Sequence, residues 1–386
     1  MAAKLGLETL LASGTLAGRR VGIVCNPASV DAAYAHVTDR LAVSQAELTA
    51  IFGPQHGFRS DLQENMIETA HARDAERRVP VYSLYSDTRE PDATMLEKVE
   101  VLVIDLQDVG TRIYTYSYTM ANCLKAAARL GTKVIVCDRP NPIGGVAVEG
   151  PMLVPGFESF VGLYPIPMRH GMTIGELARL FNEHFGLSAD LTGIPMDGWS
   201  RTMYHDAAGA PWVMPSPNIP TLESAVVYPG TVLFEGTSVS EGRGTTRPFE
   251  LVGAPWLDPW KLAGDLNRFG LEGFLFRPCY FTPTFQKHAG VVCGGVEVHV
   301  TNRRKIDAFF AYLVLIEKAR AQNRKKFAWR KPPYEYEWIK PPIDILCGTS
   351  DVREAIEAGR PVRKFRSEFA SAARAFEVIR KPYLLY

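Results

Sequence analysis

The stretch Arg20-Val-Gly-Ile-Val-Cys25, followed by Asn26-Pro-Ala-Ser29, decides the fold class of this 386-residue chain. It is a short, nearly continuous apolar run that is rich in β-branched side chains and ends in a turn signal. Such a run is typical of a strand buried on both faces of a parallel sheet, because an exposed face would require alternating polar residues. We therefore predict a buried parallel strand that is followed by a turn and the start of a helix.

The same pattern recurs four more times in the first half of the chain. The further predicted strands cover residues 48–52, 79–84, 99–105 and 132–138. Helical patterns lie between them, and the clearest runs from Tyr118 to Leu130 and ends at Gly131, as expected for a residue that terminates a helix. Strands that alternate with helices predict an α/β fold with a Rossmann-like, doubly wound parallel sheet.

The second half of the chain has a different order of elements. We predict helices at residues 256–270, 304–322, 352–359 and 365–379, and strands at 273–276 and 293–300. A chain of this length usually contains two domains, and the prolines within residues 212–220 interrupt any regular element there. We therefore expect a Rossmann-like domain over residues 1–224 and a smaller α+β domain over residues 225–386.

The charge balance excludes two classes of partner. The chain has 43 Lys and Arg against 42 Asp and Glu, and a net charge of +1 offers no electrostatic footprint for nucleic acid or an anionic membrane. The sequence has no run long enough to span a membrane, and its first residues lack the apolar core of an export signal. We therefore expect a cytoplasmic protein that binds neither nucleic acid nor membrane.

The sequence also lacks the motifs of common cofactors. Its six cysteines show no CxxC or Cys/His spacing, so we expect buried free thiols and no metal site. No GxGxxG follows the first strand, and no GxxxxGKS or GxxxxGKT occurs, so neither a dinucleotide nor a nucleoside triphosphate is indicated. GxSxG and HExxH are absent too, which argues against a serine nucleophile and a helix-borne metal site. We predict no cofactor.

Polar residues cluster where the predicted strands end, which is where ligands bind in sheets of this kind. These residues are Gln55, His56, Asp105, Asp108, Arg112, Asp138 and Asn141. A structural role is the alternative, since a lone histidine usually bonds a backbone carbonyl, and Asp108 with Arg112 could form an internal ion pair. Aromatic residues follow the acids within residues 105–116, and aromatic rings beside carboxylates are typical of sugar-binding clefts.

A second polar stretch runs from Tyr228 to Glu250 and combines glycines, arginines and carboxylates. Glycines let the backbone approach a ligand closely, Arg243 offers a hydrogen-bonding fork, and Glu235 is a candidate acid or base. The alternative interpretation of this stretch is a solvated hairpin loop.

Glu149 is the only acid in an otherwise apolar and Gly/Pro-containing segment. If it were buried without a partner, its carboxyl would have a raised pKa, as a general acid requires. Paired carboxylates in an aromatic cleft that contains arginine fit glycoside chemistry, in which two carboxyl groups flank the scissile bond.

Taken in order, the motifs of this chain resemble those of the exo-β-N-acetylmuramidase family. They are GPQHGF at 53–58, DLQDVGTRIYTY at 105–116, DRPNP at 138–142, VEGP at 148–151, HGMTIGE at 170–176, SPNIP at 216–220, FEGTSVSEGRGT at 234–245 and PFE at 248–250. The resemblance covers nearly the whole chain. It implies a two-domain glycoside hydrolase, with its cleft between the domains, that releases N-acetylmuramic acid from the non-reducing ends of peptidoglycan fragments.

The resemblance also implies which residues line the cleft, with one departure. The family pattern has Glu where this chain has Gln55, and Gln cannot exchange a proton in catalysis. Either Glu64 or Glu68 in the following segment, or Glu149 or Glu235, is expected to replace it. Arg112 or Arg243 would hold the lactyl carboxylate of the sugar, because a guanidinium fork suits that group.

We therefore predict two groups of site residues, without a metal. The predicted catalytic carboxyls are Glu235, Glu149, Asp105 and Glu64. The predicted substrate-binding residues are Gln55, His56, Asp108, Arg112, Asp138, Asn141, His170, Asn218 and Arg243.

Two other functions remain open on the sequence alone. A non-catalytic sugar-binding or sensing protein could keep the cleft and lack the acid at position 55. A transferase or hydrolase for a phosphorylated or acidic small molecule is the other, and a phosphate bound at a helix N-terminus would favour it.

Overall fold

The structure is a computed structural model that describes residues 2–64 and 66–386. Over those residues the strands are β1 (Arg20–Cys25), β2 (Glu47–Gly53), β3 (Ala72–Arg73), β4 (Pro80–Ser83), β5 (Val101–Asp105), β6 (Lys133–Cys137), β7 (Glu149–Met152), β8 (Pro167–Arg169), β9 (Leu191–Ile194), β10 (Leu251–Ala254), β11 (Phe274–Phe281) and β12 (Cys293–Val300). The α-helices are α1 (Gly6–Ala12), α2 (Val37–Ala42), α3 (Ala93–Leu96), α4 (Tyr116–Leu130), α5 (Ile174–Arg179), α6 (His205–Ala208), α7 (Leu222–Thr231), α8 (Pro259–Phe269), α9 (Ala308–Gln322), α10 (Pro342–Cys347), α11 (Asp351–Glu357) and α12 (Phe365–Arg380).

The large sheet has the strand order β3-β4-β2-β1-β5-β6-β9. Its strands run parallel, except that β3 pairs with β4 in the antiparallel sense. Side chains of β1 enter two different apolar cores, with Val21 and Ile23 in one and Val24 in the other. Both faces of the sheet are therefore covered, which confirms the predicted doubly wound α/β fold.

The local signals in the sequence match the structure closely. The five predicted strands are β1, β2, β4, β5 and β6, and α4 ends at Gly131, whose φ is +73°. Helix α5 begins with a capping box, a motif that Thr173 and Glu176 three residues later indicate in the sequence, and the two side chains bond each other's backbone N–H groups. The edge strands β3 and β9 were not predicted, because they are short and lack a continuous apolar run.

The second half forms a small antiparallel sheet in the order β10-β12-β11, which packs against α8. This confirms the predicted smaller α+β part of the chain. The expected junction near residue 225 lies inside α7, and one apolar core extends from Val24 in β1 to Phe376 in α12. The domain limits at residues 224 and 225 stay a prediction.

Two segments differ from their expected local structure. The start of the stretch from Tyr228 to Glu250 is not a hairpin, since it forms the end of α7 and a 3-10 turn, Val232–Gly236. The residues of this turn are buried, so packing rather than local pattern decides its shape. The segment Val148-Glu-Gly-Pro151 resembles a small turn in the sequence, but Glu149 begins strand β7, which pairs with β8.

Two further expectations concern the state of the cysteines and the presence of a membrane-spanning helix. The six cysteines, all within the described residues, are free, and only Cys279 is partly exposed. Throughout residues 2–64 and 66–386, no helix is both long enough and apolar enough to cross a membrane.

Candidate active site

A cavity lies at the carboxyl edge of the large sheet, where loops from both halves of the chain meet. Gln55 and His56 follow β2, while Tyr114 and Thr115 lie between β5 and α4. The lining residues are Gln55, His56, Ile113, Tyr114, Thr115, Tyr116, Val161, Ser216, Asn218, Ile219, Tyr228, Glu235, Arg243, Phe249, Tyr334 and Glu335. This is the edge at which ligands bind in doubly wound sheets.

Aromatic rings form much of the cavity wall. The ring centroids of Tyr114 and Tyr116 lie 4.7 Å apart, and those of Tyr228 and Phe249 lie 4.8 Å apart in an edge-to-face arrangement. Tyr114 also approaches Tyr228, with 6.3 Å between centroids, which joins the two pairs. Rigid aromatic walls offer apolar faces against which a pyranose ring can pack.

Glu235 lies on the 3-10 turn and is 3% exposed. Its Oε1 accepts a hydrogen bond from Arg243 Nη2 at 2.6 Å, and its Oε2 accepts one from Tyr334 Oη at 2.8 Å. The turn is held in place by Lys287, whose Nζ donates to the carbonyl of Phe234 at 2.6 Å. The carboxylate is therefore fixed in orientation by charged and neutral donors together.

Arg243 reaches the cavity because glycines flank it. Gly242 has a φ of +81° and Gly244 a φ of +80°. A Cβ atom at Gly242 would lie 2.7 Å from the carbonyl oxygen of Leu251, and one at Gly244 would lie 2.5 Å from that of Phe285. Only glycine fits both positions, so the loop can double back and turn Arg243 toward Glu235.

Glu335 is 2% exposed and lies beside Gln55. Tyr85 Oη donates to Glu335 Oε2 at 3.1 Å, and Gln55 Nε2 lies 3.5 Å from Glu335 Oε1. Burial, with a contribution from the nearby charge of Glu235, raises the pKa of Glu335 to about 7. A carboxyl that keeps its proton near neutral pH can serve as a general acid.

Three residues that line this cavity have a strained backbone conformation. His56 has a φ of +70°, Phe249 of +67° and Glu335 of +45°, and all three residues line the cavity. Residues with a Cβ atom seldom adopt this left-handed conformation, and surrounding structure has to maintain it. Such strain is typical of sites where side-chain placement matters more than local backbone stability.

The structure brings five of the predicted site residues, all among those it describes, to the cavity. They are Gln55, His56, Asn218, Glu235 and Arg243. His56 Nδ1 lies 2.6 Å from the carbonyl of Leu62, and burial lowers the pKa of His56 to about 4, so its ring is neutral. Asn218 Nδ2 donates to the carbonyl of Gln63 at 2.8 Å.

The remaining predicted residues, all within the described part of the chain, do not line the cavity. They are Glu64, Asp105, Asp108, Arg112, Asp138, Asn141, Glu149 and His170. Glu64 is exposed, and the other seven are buried in contacts that stabilise the loops behind the site.

Two of the predicted catalytic acids are held in buried structural contacts. Asp105 forms a two-pronged ion pair with Arg139, at 2.6 Å to Nε and 2.7 Å to Nη2. Glu149 pairs with Arg169 and accepts from the backbone N–H of Ala308 at 2.7 Å, at the start of α9. An acid at a helix N-terminus is stabilised by the helix dipole, which gives Glu149 a role in holding α9 against β7.

The predicted binding residues among them also serve the scaffold. Arg112 donates to the carbonyls of Pro151, Ile166 and Leu346 at 2.8–2.9 Å, so it ties three segments together. Asp138 accepts from Gly175 N, Thr173 Oγ1 and Tyr386 Oη at 2.8 Å each, which attaches α5 and the C-terminal residue to β6.

Asn141, Asp108 and His170 also make contacts with nearby loop residues. Asn141 Nδ2 donates to the carbonyl of Met172 at 2.9 Å. Asp108 Oδ2 accepts from Gly110 N at 2.6 Å and lies 3.5 Å from His170 Nε2. These side chains brace the loops at the carboxyl edge without reaching the cavity.

The ion pair of Asp105 leads to a prediction about stability. Changing Asp105 to Asn leaves the buried guanidinium of Arg139 without its counter-charge, and we expect the free energy of unfolding to fall by about 3 kcal/mol. Denaturant unfolding monitored by circular dichroism measures this change, and exposed Asp87→Asn is the matched control. A marginally changed stability together with lost turnover would instead identify Asp105 as a catalytic group.

Sequence reasoning missed Glu335 and its neighbour Tyr334. The segment reads Tyr334-Glu335-Tyr336, an acid between aromatic rings, which is the same signal that drew attention to residues 105–116. Applied throughout the chain, that signal would have identified Glu335. Glu335 does not follow a predicted strand, so the rule that ligands bind at the carboxyl ends of parallel strands did not indicate it.

Buried Glu235 and Glu335, together with Arg243 and aromatic walls, are the residue types that the hydrolysis of glycosidic bonds requires. Comparison with known proteins leads to a particular family. Models described as the N-terminal and C-terminal parts of the exo-β-N-acetylmuramidase NamZ match residues 21–223 and 226–386. The chain belongs to the exo-β-N-acetylmuramidase family, which confirms the resemblance of its motifs.

Individual relatives agree with this assignment. The chain is 45% identical over 385 residues to the peptidoglycan β-N-acetylmuramidase NamZ of Bacillus subtilis, covering 99% of this chain and 91% of that protein. A crystal structure of a DUF1343 family protein from Bacteroides fragilis matches with a TM-score of 0.90 at 33% identity, over 100% of this chain and 99% of the other. A second such protein from the same organism matches with a TM-score of 0.79 at 29% identity, with the same coverage.

Proposed function

We propose that this protein is an exo-acting glycoside hydrolase that releases N-acetylmuramic acid, or a closely related amino sugar, from the non-reducing end of peptidoglycan-derived saccharides. The observation that carries the proposal is the buried carboxyl of Glu335 beside Gln55, in the same cavity as Glu235. Membership of the family, and the Bacillus subtilis relative named a peptidoglycan β-N-acetylmuramidase, support the choice of substrate.

The two carboxyl groups have different surroundings, which supports different roles. Glu335 has a pKa of about 7 because of its burial and the nearby Glu235, so it carries a proton that it can donate to the glycosidic oxygen. Glu235 accepts hydrogen bonds from Arg243 and Tyr334, and in this scheme its carboxyl group faces the positive charge that develops on the sugar ring in the transition state. The other predicted catalytic carboxyls, those of Glu64, Glu149 and Asp105, have no role in this mechanism.

Arg243 supports recognition of the acidic sugar. Its guanidinium carries positive charge into the cavity, and a lactyl carboxylate is a natural partner for such a planar fork. Arg112, the other guanidinium considered for this role, is occupied by three backbone carbonyls. The rings of Tyr114 and Tyr116 would pack against the apolar face of the sugar.

A cytoplasmic location fits this role and is part of the proposal. Six free cysteines are compatible with a reducing compartment. The balanced charge of the chain gives no attraction to nucleic acid or to an anionic membrane surface. The substrate would then be a small imported saccharide.

The test compares two disaccharides that differ in their first sugar. We expect the purified protein to split N-acetylmuramyl-β-1,4-N-acetylglucosamine, with both monosaccharides identified by mass spectrometry, and to leave chitobiose intact. Cleavage of chitobiose alone would contradict the proposed specificity. If calorimetry shows that the muramyl disaccharide binds but no hydrolysis occurs, the protein is a sugar-binding protein instead.

Replacing Gln55 by Glu tests the position of the acid. The new carboxyl would lie next to Glu335 and disfavour its ionised form, so we expect the alkaline limb of the activity profile to move up by about one pH unit. The limb follows the loss of the Glu335 proton as the pH rises through about 7 in the unchanged protein. The pH dependence of kcat/KM measures this shift.

The control for this change is Gln45→Glu, which adds the same charge at an exposed position before β2. Gln55, by contrast, follows the carboxyl end of that strand. An alkaline limb that stays in place, or moves to lower pH, would mean that Glu335 is not the group that titrates.

A further inference from the structure

A group of partly exposed aromatic side chains adjoins the cavity. The two acids that line the cavity are themselves buried, since Glu235 is 3% and Glu335 is 2% exposed. Two of the lining residues continue into partly exposed aromatic neighbours, because Phe160 precedes Val161 and Tyr336 follows Glu335.

These neighbours belong to a cluster at the rim. The rim cluster comprises Glu68, Tyr85, Arg89, Phe160 and Tyr336. The Arg89 guanidinium carbon lies 4.3 Å from the ring centroid of Tyr85, 4.6 Å from that of Tyr336 and 5.4 Å from that of Phe160. The centroid of Tyr85 lies 5.3 Å from that of Phe160. These flat groups therefore form one connected cluster. Tyr85 is its buried member, at 1% exposure, whereas Phe160 and Tyr336 are partly exposed.

Polar groups border this surface. Tyr336 Oη donates to Glu68 Oε1 at 3.2 Å, and Arg89 Nη2 lies 3.3 Å from the same oxygen. The side chain of Glu68 is 46% exposed and that of Arg89 is 21% exposed, so both retain access to solvent. The aromatic rings of the cluster offer a packing surface, and the charged side chains of Glu68 and Arg89 can bond hydroxyl groups. This combination suits a neutral sugar.

The rim cluster also touches the proposed acid. Tyr85 belongs to the cluster, and its hydroxyl donates to Glu335 Oε2 at 3.1 Å. One hydrogen bond therefore links the proposed acid in the cavity wall to the rim cluster. In an exo-acting hydrolase the cavity holds the sugar that is released from the chain end, and the leaving sugar lies on the side of the acid that protonates its oxygen.

We propose that the rim cluster is the subsite for the leaving saccharide, a neutral hexopyranose such as N-acetylglucosamine, with Tyr336 as its packing surface. Glu68 and Arg89 bond the hydroxyl groups of that sugar. The subsite rests on the proposed function, because it presupposes that Glu335 protonates a glycosidic oxygen.

The test compares two substrates that share the sugar to be released. N-acetylmuramyl-β-1,4-N-acetylglucosamine places a sugar on the rim cluster, whereas β-N-acetylmuramyl fluoride has a leaving group too small to reach it. For Tyr336→Ala we expect the ratio of kcat/KM for the disaccharide to kcat/KM for the fluoride to fall about tenfold, mainly through KM of the disaccharide. Tyr336→Phe keeps the ring and retains most of that ratio.

Exposed Trp338, in the same segment, provides the matched control as Trp338→Ala, which should leave the ratio unchanged. Equal losses with both substrates, or no loss with either, would overturn the subsite while the proposed function stands. If the unchanged protein cleaves neither substrate, the proposed function fails and the subsite fails with it.

Discussion

Replacing Glu335 by Gln lowers kcat for the muramyl disaccharide by about a thousandfold, within the range that a general acid contributes. The amide keeps the size of the side chain but cannot donate the proton that the departing sugar oxygen requires. With a 4-nitrophenyl muramide the expected loss is about tenfold or less, because nitrophenolate leaves without protonation. Steady-state kinetics with the two substrates measure this difference.

The pH profile provides a second measurement on the same variant. Burial raises the pKa of Glu335 above its usual range to about 7, so the acid is protonated below that pH and activity falls as the pH rises above it. We expect this alkaline limb to disappear in Glu335→Gln. Glu337→Gln is the matched control, because Glu337 lies in the same segment and bonds the backbone N–H of Ile339 outside the cavity.

Equal losses on both substrates would contradict the role of Glu335 as an acid and would indicate a role in positioning. A retained alkaline limb would likewise assign the titration to another group.

Replacing Glu235 by Gln lowers kcat for both substrates by about a thousandfold or more. In the proposed mechanism its carboxylate faces the sugar ring, and the need for that charge does not depend on the leaving group. The two variants can therefore be distinguished. The loss of kcat depends on the leaving group in Glu335→Gln, but it is the same for both substrates in Glu235→Gln.

The matched control for this second variant is Glu250→Gln. Glu250 is equally buried in the same stretch, accepts from Ser224 Oγ at 3.0 Å, and does not line the cavity within the described residues. We expect its turnover per folded molecule to remain near that of the unchanged protein. Residual activity above about a tenth in Glu235→Gln would contradict the role of this carboxylate.

The local elements of the fold could be predicted from the sequence because their causes are local. The apolar run of β1, the capping box of α5 and the terminal Gly131 of α4 each depend on residues within a few positions of one another. The 3-10 turn that carries Glu235 was not predicted. Its shape depends on burial and on Lys287, which is 53 positions away from the carbonyl it bonds.

The site was predicted in part for the same reason. The glycines beside Arg243 reveal a loop that turns sharply, so the sequence itself pointed to Arg243 and Glu235 as site residues. Asp105 is also an acid, and it lies at the end of a predicted strand, so the sequence indicated it as a site residue too. Its partner Arg139 lies 34 positions away and binds both of its oxygens, which no local pattern reveals.

By itself the sequence determined the α/β class, the family, and the ordered motifs that meet at the carboxyl edge of the sheet. Periodicity and turn chemistry act over short distances, so they can be read along the chain. Only the tertiary structure decided which acids reach the cavity. Gln55 and Glu335 are 280 positions apart, and folding places them side by side in a buried cavity. That burial raises the pKa of Glu335 and makes a carboxyl from the second half of the chain the proposed acid beside Gln55.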